Sequence, residues 1–211
     1  MTALLIKAIL AYLLGSVSGS MLMGRLRDVD IRGSGSGNAG GTNAFRTQGF
    51  KFALGVVVID IGKGALAAGL LPLLNWPAAT TMPLENQAMA CGFMAVVGHC
   101  FPVWHGFRGG KGAATAVGAL LVIQPLVVLP MVVTWLLVLV LTGWVGLATI
   151  LAALTLIPSF AWLANSGFAF WFGVALVAFI VFMHRQNIVR LVRGTENRFE
   201  KIRVINWFKR D

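Results

Sequence analysis

Three polar segments carry the residues that could do chemistry in an otherwise apolar chain. The first, residues 33–46, reads G-S-G-S-G-N-A-G-G-T-N-A-F-R and has five glycines within nine residues. Glycines let successive backbone N–H groups converge on an anion, and an arginine adds a planar fork that suits phosphate. The segment therefore predicts a phosphate site, with a flexible linker as the alternative. The candidate site residues are Gly35, Ser36, Gly37, Asn38, Thr42, Asn43 and Arg46.

The second segment, residues 98–115, reads G-H-C-F-P-V-W-H-G-F-R-G-G-K-G-A-A-T. Three glycines surround its lysine just before a predicted helix, and a helix N-terminus with free N–H groups is an anion site. It is not a Walker A loop, because glycine follows the lysine where Ser or Thr is required. His99 is either a base or a structural partner at a helix end. The candidates are His99, Gly109, Gly110, Lys111 and Gly112.

The third segment, residues 184–196, reads H-R-Q-N-I-V-R-L-V-R-G-T-E and directly follows the last apolar stretch. His184 and Asn187 share one face at helical spacing, so both are candidate site residues. The alternative is a basic juxtamembrane helix that touches anionic lipid. That alternative explains the arginines well, but it does not explain His184 and Asn187 at the membrane boundary.

Asp60 and Lys63 stand inside a long apolar stretch. Charges within a membrane need a partner and are functional candidates by default. Their i, i+3 spacing also lets them satisfy each other. Structural support and function both stay open for this pair.

The composition indicates a membrane protein. Of 211 residues, 58% are hydrophobic and 11% charged, against about 25% charged in soluble domains, and the mean hydropathy is +0.83. The apolar runs are continuous rather than alternating, which favours helices over a barrel. The net charge of +10 could suggest nucleic acid, but the basic residues flank the apolar runs, so we expect no nucleic-acid partner.

Charge and chain length predict the topology. The first three spans are roughly 3–23, 52–74 and 88–103, and 16 of the 17 basic residues then fall on one side, with Lys7 as the exception. This side is cytoplasmic by the positive-inside rule, which puts the N-terminus outside and the C-terminus inside. The remaining apolar stretch breaks at Gln124-Pro125, Thr142-Gly143 and Asn165-Ser166-Gly167. We predict an all-α polytopic membrane protein of about seven helices, in a single domain over residues 1–211. Five spans are the alternative, with the region of the first break re-entrant.

Taken in order, the three segments resemble the motifs of the bacterial acyl-phosphate:glycerol-3-phosphate acyltransferases. That family has motifs like G-S-G-N-x-G-A-T-N-x-x-R, G-H-x-F-P ending in G-G-K-G-x-A-T, and H-R-x-N-I-x-R-L. The similarity spans the chain in order and spacing. Departures are Gly41 where Ala is usual, Arg108 for Lys, Ala113 for Val and Gln186 for Glu.

The resemblance implies acyl transfer from an acyl-phosphate to the sn-1 hydroxyl of glycerol 3-phosphate, giving lysophosphatidic acid and phosphate. It implies catalytic roles for Ser36, Lys111 and His184, with the other candidates binding substrate. It also implies no cofactor and no metal, a bacterial inner-membrane location among lipid, and an active site that faces the cytoplasm. A monomer is compatible with the sequence, which does not fix the oligomeric state.

Two other functions compete with this interpretation. A small transporter for an anionic metabolite should show inverted repeats and charges at mid-membrane. Here the polar motifs cluster towards one face and no internal repeat is evident. A non-catalytic lipid-binding partner protein is the third possibility, and acyl release from a defined donor separates all three.

Overall fold

The computed structural model describes residues 2–74, 81–163 and 166–199, and it is all-helical over these ranges. The predicted all-α class is therefore confirmed. The α-helices are α1 Thr2–Gly15, α2 Gly19–Arg25, α3 Gly41–Gln48, α4 Phe50–Gly69, α5 Leu84–Cys100, α6 Ala113–Ile123, α7 Val128–Thr142, α8 Val145–Leu154, α9 Leu156–Leu163, α10 Gly167–Met183 and α11 Arg185–Val192. Short 3-10 helices lie at Ile31–Gly33, Leu71–Leu73, Val103–His105 and Pro125–Val127.

Four helical stretches in the described residues are long and apolar enough to cross a membrane. They are Phe50–Leu73, Leu84–His105, Pro125–Thr142 and Val145–Leu163. Two bent pairs, α1 with α2 and α10 with α11, bring the count to six if each pair is one span. The remaining predicted span corresponds to α6, which at 1.5 Å per residue is about 16 Å long, roughly half the thickness of a hydrocarbon core. The integral membrane class is confirmed, with four to six candidate spans.

The predicted breaks in the last apolar stretch fall at helix ends. α6 ends at Ile123, just before Gln124, and α7 ends at Thr142, after which Gly143 adopts a left-handed backbone at φ 76°. Ser166 caps α10 through a hydrogen bond that its Oγ accepts from Ala169 N at 3.3 Å. Asn165 lies outside the described residues, as do four basic residues of the predicted tail, Lys201, Arg203, Lys209 and Arg210.

The first span is broken, whereas the sequence predicted one continuous helix. α1 and α2 meet at an angle of 44°. Ser18 caps α2, since its Oγ accepts from Met21 N at 3.4 Å. Serine competes for backbone hydrogen bonds and glycine is a poor helix former, so the run Gly15-Ser16-Val17-Ser18-Gly19 favours a break.

The chain forms two compact units that divide after Pro125, and each is described by itself. In the first unit the helices meet at glycines. A Cβ atom on Gly15 of α1 would strike the backbone of α5, and one on Gly98 of α5 would strike the backbone of α1. In the same way, a Cβ on Gly64 of α4 would strike α6, and one on Gly118 of α6 would strike α4. Small residues let membrane helices approach closely, because van der Waals packing replaces the hydrophobic effect there. The predicted single domain stays a prediction.

In the second unit, polar and aromatic contacts join neighbouring helices. Trp135 Nε1 on α7 donates to Thr149 Oγ1 on α8 at 3.2 Å. Between α9 and α10, the Phe160 and Phe172 rings lie edge to face with centroids 5.8 Å apart. A Cβ on Gly173 would come within 2.6 Å of the Phe160 ring, so the absence of a side chain at residue 173 leaves room for that ring.

Candidate active site

The first glycine-rich loop, between α2 and α3, is held from within by Asn43. Its Oδ1 accepts from Ser36 N at 2.9 Å, and its Nδ2 donates to Ile31 O at 2.9 Å and Ser34 O at 3.1 Å. The side chain is buried at 1% exposure. The Asn43 amide therefore fixes the loop backbone, and its predicted contact with phosphate stays a prediction.

Ser36 lies at the exposed tip of this loop between two left-handed glycines. Gly35 has φ 61° and Gly37 φ 70°, values that L side chains rarely adopt. A Cβ on Gly35 would also strike Asn43 Oδ1. Among the described residues, the Ser36 hydroxyl has no hydrogen-bond partner, so it is available to a ligand.

Helix α3 begins directly after the loop and carries further candidates. Asn38 lies against its start, since a Cβ on Gly40 would be 2.8 Å from Asn38 Nδ2. Thr42 and Arg46 stand one turn apart on α3, so they share a face, and both are half-buried. The N-terminal N–H groups of α3, Thr42 and Arg46 therefore lie along one short helix.

The second glycine-rich loop, between α5 and α6, is folded back on the end of α5. Gly109 N donates to Cys100 O at 3.2 Å, and Gly110 N donates to His99 O at 3.1 Å. A Cβ on Gly110 would strike the His99 imidazole. Lys111 follows, and Gly112, with φ 85°, caps the start of α6. The predicted lysine at a helix N-terminus is thus present in the described fold.

Arg32 joins the two loops, a link that sequence reasoning missed. Its guanidinium donates to His105 O at 3.2 Å and to Arg108 O at 3.4 Å. The same group pairs with Asp30 at 2.7 Å. That side-chain hydrogen bond lowers the pKa of the Asp30 carboxyl below its ordinary value and raises the pKa of Arg32. The D-x-R spacing was the available signal for the ion pair, but nothing local pointed to the second loop.

The Asp60–Lys63 ion pair that the spacing allowed is present, with Lys63 Nζ 3.1 Å from Asp60 Oδ1. An unpredicted third member joins it, because His99 Nδ1 lies 3.4 Å from the same oxygen. The predicted site residue His99 is thus a neighbour of the buried pair as well as of the second loop.

The third motif lies in the second unit, where α10 bends by 55° into α11. His184 stands at this bend, buried, with Nδ1 2.8 Å from Ile180 O. A carbonyl oxygen only accepts, so Nδ1 carries a proton and donates it to Ile180 O.

Glu196 is a residue of this motif whose role sequence reasoning missed. Its two carboxylate oxygens accept from Asn187 Nδ2 at 2.9 Å and from Arg190 Nε at 2.8 Å. The Glu196 side chain is 4% exposed, so the contacts are made away from bulk water. The buried Asn187 also packs on Gly146 of α8, where a Cβ would come within 2.6 Å of Nδ2.

Within the described ranges, no group of three or more His, Cys, Asp or Glu side chains is placed to hold a metal ion. The expectation of no metal and no cofactor stays a prediction.

Comparison with known proteins connects this arrangement to a family. The family model for glycerol-3-phosphate acyltransferase matches residues 5–194. A protein of that name from Rhodospirillum rubrum is 44% identical over 194 residues, covering 90% of this chain and 88% of its own. Another from Symbiobacterium thermophilum is 41% identical over 198 residues, covering 94% and 96%.

Solved structures agree in fold. The glycerol 3-phosphate form of PlsY (YgiH), an integral membrane glycerol 3-phosphate acyltransferase, is similar with a TM-score of 0.83 and 33% identity, over 94% of this chain and 96% of that one. The lysophosphatidic acid form of PlsY is similar with a TM-score of 0.83 and 32% identity, over 97% and 99%.

Proposed function

This chain belongs to the glycerol-3-phosphate acyltransferase family, and we propose that it moves a fatty acyl group from an acyl-phosphate to the sn-1 hydroxyl of glycerol 3-phosphate. The products are lysophosphatidic acid and inorganic phosphate. The observation that carries the proposal is the link from Arg32 to the second loop, which holds two glycine-rich, helix-leading loops together. Two phosphate-bearing substrates need two neighbouring anion sites, and this pair of loops supplies them.

The site residues take roles that follow from their chemistry. Lys111 and Arg46 neutralise the repulsion between the two phosphates, since an ammonium and a guanidinium are both cationic groups that bind phosphate. The N–H groups around Ser36 and the start of α6 add neutral donors. Binding both substrates in the correct orientation before the reaction lowers the entropic part of the activation barrier, an effect that can supply about 7–11 kcal/mol.

The reaction itself is a direct transfer. The sn-1 oxygen of glycerol 3-phosphate attacks the acyl carbonyl carbon, a tetrahedral oxyanion forms, and the carbon–oxygen bond to phosphate then breaks. Donors aimed at the oxyanion, with the Ser36 hydroxyl as the first candidate, contribute about 3–4 kcal/mol each. An acyl-phosphate is a mixed anhydride with a good leaving group, so no covalent enzyme intermediate is required.

The proton of the attacking hydroxyl goes either to His184 or to a phosphate of the substrates. Support for His184 comes from the hydrogen bond between its Nδ1 and Ile180 O, which fixes the orientation of the imidazole at the bend between α10 and α11. Asn187, held by Glu196, is the second residue of this motif that we assign to the site.

The protein is integral to the membrane, and we assign it to the bacterial inner membrane with both loops on the cytoplasmic side. The flanking basic residues support that orientation, and the relatives named above come from bacteria. A cavity of about 150 Å³ lies between Leu22 on α2 and Trp104 in the second loop, with Arg25 also in its lining. Its mainly apolar walls suit part of the acyl chain.

Variants of the assigned residues test the proposal. Lys111→Ala and Arg46→Ala should each lower kcat/KM at least a hundredfold with palmitoyl-phosphate and glycerol 3-phosphate. Lys51→Ala is the matched control, because it removes an exposed positive charge at the start of α4 that belongs to neither glycine-rich loop. Activity that survives in both site variants, in protein shown to be folded, would refute the assignment of the phosphate sites. Ser36→Ala that loses turnover but still binds glycerol 3-phosphate would support a role for Ser36 in the chemical step.

A further inference from the structure

Three ionisable side chains meet inside the first unit. Asp60 and Lys63 on α4 and His99 on α5 have side-chain exposures of 1%, 3% and 4%. Lys63 Nζ lies 3.1 Å and His99 Nδ1 3.4 Å from the same atom, Asp60 Oδ1. Charges buried at membrane depth are costly, so a cluster of this kind needs a reason to persist.

One side of the cluster supports the break in the first span. Lys63 Nζ donates to Val17 O at 2.6 Å, and Gly19 N donates to Asp60 Oδ1 at 3.2 Å. Val17 and Gly19 lie at the junction of α1 and α2, where the bend leaves backbone groups without helical partners. The ion pair satisfies these groups, as buried backbone at a broken membrane helix requires.

The other side of the cluster supports the second glycine-rich loop. His99 Nδ1 lies 3.4 Å from Asp60 Oδ1, a charge contact without hydrogen-bond geometry, and a Cβ on Gly110 would strike His99 Nε2. The His99 carbonyl accepts the Gly110 N–H, and a Cβ on Gly109 would strike that carbonyl. The loop backbone at Gly110, the residue before Lys111, therefore packs directly on His99.

We propose that Asp60 is a positioning residue that orients His99 and thereby fixes the second loop, so that Lys111 and the start of α6 face the phosphate of a substrate. Lys63 pairs with Asp60 and holds it in place. This inference rests on the proposed function for its kinetic consequence, but its structural consequence, the order of the loop at Gly109 and Gly110, does not depend on any substrate.

The kinetic test uses Asp60→Asn, His99→Gln and the double variant. Because the loop binds phosphate before and during reaction, its displacement should raise KM for at least one substrate about tenfold and leave kcat within about threefold. Residues that act through one another are non-additive, so the double variant should be no worse than the worse single variant. Effects on KM that multiply in the double variant, or an unchanged KM in folded His99→Gln, would overturn the proposal.

The second readout is amide hydrogen exchange, which does not require activity. The Gly109 and Gly110 amides should exchange at least tenfold faster in His99→Gln than in wild type, while the α1–α2 junction stays protected. Exchange that rises at the junction and not at the loop would overturn the proposal. If the wild-type protein transfers no acyl group, the proposed function fails, and the exchange experiment still decides whether the His99 side chain orders the second loop.

His99→Gln also covers the case in which Asp60→Asn does not fold, since it leaves the Asp60–Lys63 pair intact. The matched control is Lys7→Met. Lys7 is equally buried in the first unit, where Nζ donates to Pro72 O at 2.7 Å and to Gln87 Oε1 at 2.9 Å. Its loss should lower the melting temperature yet keep KM within about twofold; a KM that rises as much as in His99→Gln would overturn the proposal, because any buried polar defect would then suffice.

Discussion

The guanidinium of Arg32 donates a hydrogen bond of 3.2 Å to the carbonyl oxygen of His105, although the two residues stand 73 positions apart in the chain. A second bond, to Arg108 O at 3.4 Å, reinforces the link. The two loops assigned to phosphate binding are therefore held together by a side chain that none of the sequence motifs singled out.

Removing this link should weaken substrate binding more than the chemical step. Arg32→Gln is expected to raise KM for glycerol 3-phosphate or acyl-phosphate about three- to tenfold, because the hydrogen bonds that hold the two loops in position relative to each other are then lost. Arg108→Gln is the control, since it removes the same charge from the second loop while its backbone carbonyl remains. Steady-state kinetics decides between them: equal effects of the two variants would mean that net charge, and not the link, matters.

The Asp30–Arg32 pair predicts how stability depends on pH. The pKa of Asp30 in the folded protein is lowered, chiefly by its hydrogen bond with Arg32. The contribution of the pair to the free energy of unfolding is therefore complete above the ordinary aspartate pKa of about 3.9, and it is lost as the pH falls through the folded pKa. Asp30→Asn should thus lower the melting temperature at pH 7 by no more than about 2–4 °C, since surface pairs are weak. The difference in melting temperature between Asp30→Asn and wild type should be smaller at pH 3 than at pH 7.

Asp28→Asn is the matched control for that experiment, because Asp28 makes no ion pair with the described residues. Thermal melts of both variants at the two pH values test the prediction. A difference between Asp30→Asn and wild type that grows on acidification would contradict the predicted direction of the pH dependence.

Asn43 should tolerate no carboxylate. In Asn43→Asp the Nδ2 donor becomes an oxygen that faces the carbonyls of Ile31 and Ser34, and a buried polar group without a partner costs about 1–3 kcal/mol. We expect a lower melting temperature and at least a tenfold loss of kcat/KM. Gln48→Glu, the same chemical change on the same helix, is the control and should stay within about twofold. Similar losses in both variants would show that added negative charge alone is responsible.

Gly146 is expected to control the position of Asn187. A Cβ at residue 146 would lie 2.6 Å from Asn187 Nδ2 and 2.8 Å from its Cβ, so the side chain must move and its bond to Glu196 must weaken. Gly146→Ala should lower kcat/KM at least tenfold. The same change at Gly167, where a Cβ meets nothing within 4 Å, should not. Full activity in Gly146→Ala would argue against a role for Asn187 in the site.

The parts of this molecule that a sequence could reveal are those set by local chemistry. Continuous apolar runs predicted membrane helices, and the break at Gln124-Pro125 follows from the proline. Glycines around Lys111 predicted a loop before a helix N-terminus, and the spacing of Asp60 and Lys63 predicted their ion pair. Each of these features depends on residues within a few positions of one another.

What the sequence could not reveal depends on distant partners. Local glycines and serines favour a break in the first span, but the groups that satisfy Val17 and Gly19 there belong to Lys63 and Asp60, more than 40 positions away. The contact of His99 with Asp60 likewise joins two helices. α6 was counted as a full span because its apolar residues run on into α7 with only a short interruption, so hydropathy alone did not reveal how short it is.

The identity of the acyl donor tests the proposed reaction most directly. Purified wild-type protein in lipid would be mixed with glycerol 3-phosphate and either palmitoyl-phosphate or palmitoyl-CoA, without added metal, and lysophosphatidic acid and phosphate would be measured together. We predict equimolar lysophosphatidic acid and phosphate with palmitoyl-phosphate, and no product with palmitoyl-CoA. Product from palmitoyl-CoA and none from palmitoyl-phosphate would contradict the proposed acyl-phosphate-dependent transfer.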